Sequence, residues 1–268
     1  MRHLFGLINM FTSIDRLFVD CGPWELPVGD PNYELSPASP IIRDLTLQAL
    51  EDPNCAIMFY NALRRSGSLD GPLKVIQFAC YTRGEVVDFF DFLKDAGKHL
   101  TELNIDMYFP LRWSRGDPGS WDALSLDCCP NLEKLTLVFD FDAPDEMLHI
   151  RDVVLQTALQ LYTRLLRSAP RRLREVSFCI YGAANARPAF TRSAAASEGR
   201  ERWAALDRAL SGPGTALASV KFLLCDVDGK GELEECKAGL VEFVAECMPT
   251  VAGRGLVRLR SEREEYPD

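Results

Sequence analysis

One apolar pattern returns along the whole chain. With Φ as an apolar residue, the template Φ-x-x-Φ-x-Φ is met at Ile14-Leu17-Val19, Ile42-Leu45-Leu47, Leu73-Ile76-Phe78 and Leu100-Leu103-Ile105. It is met again at Leu132-Leu135-Leu137, Leu173-Val176-Phe178 and Leu217-Val220-Phe222. Successive copies start 28, 31, 27, 32, 41 and 44 residues apart, and Leu256 with Leu259 reads as a final partial copy. The second and third apolar residues of each copy are two apart, so they share one face of a strand. The first marks the entry of the chain to that strand. A strand with one buried face cannot stand alone, so seven copies predict parallel strands stacked over a continuous core.

Parallel strands need crossovers, and helices usually supply them. Glu85 to Gly97 is amphipathic, with Val86, Phe89, Phe90 and Leu93 at helical spacing and a glycine at its end. Asp145 to Ser168 is the longest apolar-periodic segment, and Pro170 stops it. Cys55 to Arg65, Glu198 to Leu210 and Glu232 to Cys247 read the same way. The predicted fold is therefore α/β: a solenoid with parallel strands on the concave face and helices outside, in a single domain over 1–268. The later, longer intervals leave Ala183 to Gly199, rich in Ala and Ser, as a flexible insertion. A compact doubly wound α/β domain would also alternate strand and helix. Such folds place glycines directly after a strand. Here the strands are followed by Asp20-Cys21-Gly22-Pro23, Ala79-Cys80-Tyr81 and Cys225-Asp226-Val227.

The stretch Cys129-Pro130-Asn131-Leu132-Glu133-Lys134-Leu135-Thr136-Leu137 resembles the C-P-N-L-x-x-L-x-L signature of cysteine-containing leucine-rich repeats. Cys225 falls eight residues after Leu217, in the slot where such a repeat places Asn or Cys, while Cys21 and Cys80 fall one residue short of it. From the Ile14 copy onward, the chain resembles the repeat region of F-box proteins of mushroom-forming (basidiomycete) fungi. The segments that carry this are Gly97-Lys98-His99-Leu100-Thr101-Glu102-Leu103-Asn104-Ile105, Gly119-Ser120-Trp121 and Gly231-Glu232-Leu233-Glu234-Glu235-Cys236-Lys237. The resemblance implies degenerate leucine-rich repeats that select a protein target for a ubiquitin ligase. No L-P-x-E-like F-box start precedes the first copy, so a Skp1-type adaptor is implied only with an F-box upstream.

Composition narrows the function classes. Apolar content of 47% and charged content of 26% are those of an ordinary globular protein. The longest apolar runs fall far short of the ~20 residues that span a bilayer. Met1 to Phe11 has only Arg2 and His3 as a charged start and no small-residue cleavage site, which argues against a signal peptide. The nine cysteines are odd in number and form no C-x-x-C pair. They read as reduced thiols of a cytoplasmic or nuclear protein. A net charge of −9 disfavours nucleic acid and anionic membranes as partners. The charge is uneven: Arg164 to Arg208 holds ten arginines against four acids, a balance of +6, so the rest carries −15.

Candidate chemistry is sparse. There is no G-x-S-x-G elbow, P-loop, G-x-G-x-x-G, H-E-x-x-H or kinase motif. His3, His99 and His149 have no ligand spacing. Asp226-Val227-Asp228-Gly229-Lys230-Gly231 resembles the start of a calcium loop, but Lys230 and Lys237 occupy the slots that need oxygen ligands. It reads better as a strand-to-helix turn, with Glu232, Glu234 and Glu235 near a helix N-terminus. Cys128-Cys129 is either a vicinal redox or soft-metal pair or two small packing residues. Asp140, Asp142, Asp145 and Glu146 are either metal ligands or a solvated loop and helix start. Arg167, Arg171, Arg172 and Arg174 are either an anion-binding patch or solvated flanks of the insertion. The expectation is no catalytic residue, no cofactor and no metal.

The strand face offers more. Residues alternating with the buried apolars point to the concave side. The central positions are Phe18, Thr46, Gln77, Asn104, Thr136, Ser177 and Lys221, and those before them include Arg16, Asp44, Glu102, Lys134 and Glu175. A mixed polar face of short side chains suits protein recognition. The chain is thus expected to be a non-catalytic protein-interaction module, with an α/β hydrolase or transferase, or a structural solenoid without a dedicated partner, as the alternatives.

Overall fold

The structure is a computed structural model, and it describes residues 7–8, 10–20, 40–48, 53–65, 69, 71, 73–80, 83–107, 124–141, 148–212, 216–227 and 230–265. The chain divides into two compact units where one domain was expected. The first comprises residues 1–110 and 127–132, the second 111–126 and 133–268.

The first unit carries strands β1 (Ser13–Asp20), β2 (Ile41–Gln48), β3 (Val75–Cys80) and β4 (Glu102–Met107). Helix α1 (Pro53–Arg65) connects β2 to β3, and α2 (Arg83–Ala96) connects β3 to β4. Each strand pairs in parallel with the next in chain order. The register sets the apolar template in rows: Leu17, Leu45, Ile76 and Leu103 are neighbours, as are Val19, Leu47, Phe78 and Ile105. From β2 to β4 these positions are buried, and Phe59, Tyr60 and Leu63 of α1 with Val86, Phe89, Phe92 and Leu93 of α2 close over them. Phe78 stacks on Phe89 at 3.9 Å between ring centroids, and Tyr60 on Phe92 at 4.5 Å. Arg64 of α1 reaches Asp91 at 2.9 Å and Asp95 at 2.6 Å on α2. Hydrogen bonds from Lys94 and Arg64 hold the Asp91 carboxyl below the usual carboxylate range.

Strand entry is itself a repeated device. Leu73 and Leu100 are buried two residues ahead of their strands. Between them, the backbone N–H groups of Thr101 and Glu102 both donate to Lys74 O, at 2.8 and 3.0 Å. Lys74 N in turn donates to Arg43 O at 2.8 Å. A 3₁₀ turn, Gly97–His99, leads from α2 into this entry. The 127–132 turn packs against it. Asn131 Nδ2 donates to Lys98 O at 2.8 Å, and a Cβ on Gly97 would stand 2.7 Å from Cys129 Sγ and 2.8 Å from Cys128 O. Glycine is required there by the approach of backbone to backbone. Gly97→Ala is expected to cost about 1–2 kcal/mol, as modest overpacking does. Urea unfolding checks it, and an unchanged midpoint would show that the two turns do not meet.

The second unit repeats the scheme with β5 (Lys134–Asp140), β6 (Glu175–Tyr181), β7 (Ser219–Leu224) and β8 (Val257–Ser261), again parallel and in chain order. Its helices are α3 (Leu148–Arg167), α4 (Ala183–Ala195), α5 (Ser197–Ser211), α6 (Lys230–Cys247), α7 (Pro249–Gly253) and α8 (Glu262–Glu265). Leu135, Val176, Val220 and Val257 form one row, and Leu137, Phe178, Phe222 and Leu259 the next. The entry ladder recurs: Arg174 N and Glu175 N donate to Glu133 O, and Ala218 N and Ser219 N donate to Arg174 O. Consecutive strand order with no reversal in either unit separates this fold from a doubly wound sheet, whose order turns back at a switch point.

Two further expectations change. The final copy is displaced by two residues. Val257 and Leu259 align with the second and third positions of the β7 copy, so Leu259 takes the third place rather than the second. The first place would fall at Arg254, a polar residue, and the template missed the copy's register for that reason. The segment Ala183 to Gly199, expected as a flexible insertion, forms α4 and the start of α5. Its alanines are not spacers. Ala183, Ala186, Ala189, Phe190 and Ala194 make a buried stripe at helical spacing. Phe190 meets Trp203 edge to face at 5.3 Å and stacks on Phe243 at 5.0 Å. Small residues let α4 sit close to its neighbours while one aromatic fills the gap.

Candidate functional site

Strand polarity decides which side chains can meet a partner. Template positions point into the core, and the alternate positions stand on the opposite face. In the first unit the register brings the expected residues side by side. Arg16, Asp44, Val75 and Glu102 form one row, and Phe18, Thr46, Gln77 and Asn104 the next. Neighbouring strands lie about 4.8 Å apart, so each row of four spans about 14 Å. Arg16, Phe18 and Gln77 are exposed, and Asp44, Thr46, Glu102 and Asn104 are partly so. Phe18, at 56% exposure, is a large aromatic presented to solvent at the β1 end of an otherwise polar row. Asn104 Oδ1 is buried and has no hydrogen-bond partner among the described residues. The surface offers one cation, two carboxylates, two amides, a hydroxyl and an aromatic ring.

The second unit shows a different face. Lys134 and Glu175 are neighbours in one row with Ser219, and Thr136, Ser177, Lys221 and Arg258 form the next. Lys134 and Arg258 are exposed, and Thr136, Glu175 and Lys221 are partly so. Ser177 is only 5% exposed, so its hydroxyl belongs to the packing and not to a contact surface. Lys221 is held by two carboxylates. Its Nζ lies 3.2 Å from Glu175 Oε1 and also bonds Glu265 of α8. Burial works against the ammonium, but the hydrogen bonds to Glu265 and Glu175 outweigh it and raise its pKa above the ordinary lysine value.

Helix α8 is placed by a capping box. Glu264 N donates to Ser261 Oγ at 3.3 Å, and Ser261 N donates back to Glu264 Oε2 at 2.8 Å. That backbone bond, with the Lys237 ammonium 3.0 Å away, holds the Glu264 carboxyl below its usual range. Sequence reasoning missed Arg258, Arg260 and Glu265 as parts of this face. The displaced final copy hid the two arginines. The alternation Val257-Arg258-Leu259-Arg260 was the signal that would have found them.

Of the remaining candidates, some come together and others lie outside the described residues. Arg167, Arg171, Arg172 and Arg174 are all exposed around the turn between α3 and β6. Asp226 takes left-handed backbone (φ 56) between β7 and α6; Asp228 and Gly229 lie outside the described residues. Asp140 ends β5, while Asp142, Asp145 and Glu146 lie outside the described residues. Among the described residues no group of three or more His, Cys, Asp or Glu side chains is placed to hold a metal. His99 lies in the 3₁₀ turn, and His3 is outside the described residues. Cys225 follows β7 directly: its N–H donates to Ile180 O at 2.9 Å and its thiol to Leu223 O at 3.7 Å. Cys128 and Cys129 do come together, with Sγ atoms 3.7 Å apart. No described helix is long and apolar enough to cross a membrane. No protein-family model, curated protein or solved structure matches this chain.

Proposed function

We propose that both units are leucine-rich-repeat-like solenoid segments and that the chain is a non-catalytic protein-interaction module. Its reading as the target-selecting part of an F-box-type ubiquitin-ligase subunit rests on the sequence resemblance. One observation carries the interaction reading. The in-register rows Arg16–Asp44–Val75–Glu102 and Phe18–Thr46–Gln77–Asn104 set exposed and partly exposed side chains of mixed chemistry on one strand face. Aromatic and arginine side chains are the usual anchors of protein interfaces, and Phe18 with Arg16 supplies both at one edge. Parallel strands buried on one side only need no such polarity pattern to fold, because their stability comes from the other face.

The test uses the full chain as bait for endogenous partners, with quantitative mass spectrometry as the readout. A variant carrying Arg16→Glu, Phe18→Ser and Gln77→Lys is expected to lose its specific partners about tenfold or more while keeping the wild-type unfolding midpoint. Loss of a buried aromatic anchor and a cation commonly costs 2 kcal/mol or more, roughly thirtyfold in affinity. Partners that bind the variant and the wild type equally would show that this face is idle. Recovery of a Skp1-type adaptor with the native transcript product supports the ligase reading. Its consistent absence, with other partners retained, leaves a free-standing binding module.

A further inference from the structure

We propose that Cys128 and Cys129 form a reversible thiol switch that hydroperoxides close to a vicinal disulfide. The two Sγ atoms lie 3.7 Å apart, in contact as thiol hydrogen-bond partners, and neither cysteine is in a disulfide. Their environments differ. Cys128 is partly exposed, at the surface of the 127–132 turn, while Cys129 is fully buried against Gly97. This is the arrangement of an attacking thiol with a resolving partner beside it.

Electrostatics divides the roles in the same way. The hydrogen bond with Cys129 lowers the Cys128 pKa against the opposing effects of burial and of the Asp127 charge, and a backbone hydrogen bond and Lys94 add to the lowering. The same bond, with burial, pushes the Cys129 thiol up. Burial and the neighbouring Glu246 push the Cys247 thiol up to about 11, which keeps it protonated and inert at neutral pH.

The step balances with one hydroperoxide. The Cys128 thiolate attacks the distal peroxide oxygen, the O–O bond breaks, and the alkoxide or hydroxide released takes a proton from solvent. Cys128 is then a sulfenic acid. The Cys129 sulfur attacks the Cys128 sulfur, the S–O bond breaks, and the hydroxide leaves as water with the proton of the Cys129 thiol. Two thiols have lost two electrons to the peroxide. Adjacent Cα atoms stand about 3.8 Å apart, below the usual 4.4–6.8 Å of a disulfide. A bond strained in this way is easily reduced, which suits a switch and not a staple.

Closure has a structural consequence. The Sγ atoms must approach from 3.7 Å to about 2.05 Å. Either Cys129 leaves its seat at Gly97 or the Cys128 backbone, whose carbonyl also abuts Gly97, shifts toward it. The Cys129 carbonyl accepts from Leu132 N at 3.1 Å, and Asn131 braces the same turn onto Lys98 O. Oxidation thus loosens the turn that leads into β5.

The experiment treats the full chain with hydrogen peroxide at neutral pH, alkylates the remaining thiols, and maps the digest by mass spectrometry. The expected peptide carries both residues without alkylation and is lighter by two hydrogen atoms; dithiothreitol restores two alkylated cysteines. In Cys129→Ser, dimedone is expected to trap a sulfenic acid at Cys128, whereas Cys128→Ser leaves Cys129 unlabelled. The proposal is overturned if wild type retains two alkylatable thiols here while other cysteines oxidise. It is equally overturned if Cys128 runs on to sulfinic acid with Cys129 still alkylated. Both outcomes are read on the wild-type chain, so poor folding of a variant cannot hide them.

Discussion

Gly199→Ala is expected to destabilise the second unit by about 3 kcal/mol or more, the upper end of what overpacking costs. A Cβ at this position would lie 1.9 Å from Ser193 O, 2.8 Å from Ser193 C and 2.9 Å from Ser193 Oγ. The first two are backbone atoms, so no rotamer change can relieve the clash. Helix α4 ends at Ala195 and α5 begins at Ser197, leaving one residue to reverse the chain. The two helices must then diverge from a point of near contact. Separating them would disturb a buried knot of bonds on Ser193, whose Oγ accepts from Trp203 Nε1 at 3.1 Å and from Gln156 Nε2 at 2.7 Å. Trp203 is completely buried and touches Phe139, Phe190 and Phe243, so the strain reaches the aromatic core. Gly231→Ala is the control. Nothing lies within 4 Å of a Cβ there, and the residue is helical, so alanine is expected to be neutral or to stabilise by up to about 1 kcal/mol. Urea unfolding followed by circular dichroism and by tryptophan emission measures both. Equal midpoints for Gly199→Ala and wild type would rule out the close approach of α4 and α5.

Asp207→Ala is expected to cost about 2–4 kcal/mol, because one buried carboxylate serves two backbone donors. Asp207 lies on α5 and is 4% exposed. Its Oδ1 accepts from Val251 N at 2.9 Å and its Oδ2 from Thr250 N at 3.1 Å. These donors belong to the first turn of α7, whose own cap residue, Met248, makes no side-chain cap bond. A five-residue helix has too few internal bonds to hold itself. It depends on the charge at its N-terminus, which also meets the positive end of the helix dipole. Removing the carboxylate leaves two donors unsatisfied in a buried setting, and a hydrogen bond to a charged group is worth ~1.5–3 kcal/mol. Asp207→Asn keeps the shape but turns an amide N–H toward a backbone N–H, so it should recover only part of the loss. Hydrogen exchange at Thr250 and Val251 gives the local readout. Protection retained in Asp207→Ala would show that α7 is capped by something else.

Both effects sit in side-chain and backbone contacts that no local pattern announces. Asp207 and Val251 are 44 positions apart, and nothing in the Pro249–Gly253 segment asks for a distant carboxylate. Gly199 reads locally as one more small residue among alanines. The same composition suggested a flexible insertion, since alanine and serine carry no apolar signal strong enough to mark a core. Ala189 is nevertheless fully buried, because Phe190, Trp203 and Phe243 supply the bulk around it.

What the sequence determined by itself is the strand scheme. Period-two alternation is a local property, and a parallel pairing that buries one face leaves little choice of register. Leu45 therefore had to meet Ile76, and Leu103 had to follow, as the pairing shows. The helices were legible for the same reason: Arg83–Ala96 and Ser197–Ser211 follow their apolar periods closely. The outward strand face was legible as positions, since residues that alternate with a buried row must stand outside it. Tertiary structure alone decided which of those positions are open, because exposure depends on what else packs against the sheet. Phe18 stands in solvent, Ser177 is buried in its row, and Lys221 is clasped between Glu175 and Glu265 from elements far apart in the chain. It also decided the last strand, where a polar Arg254 at the entry position obscured the template and only pairing with β7 set Val257 against Val220.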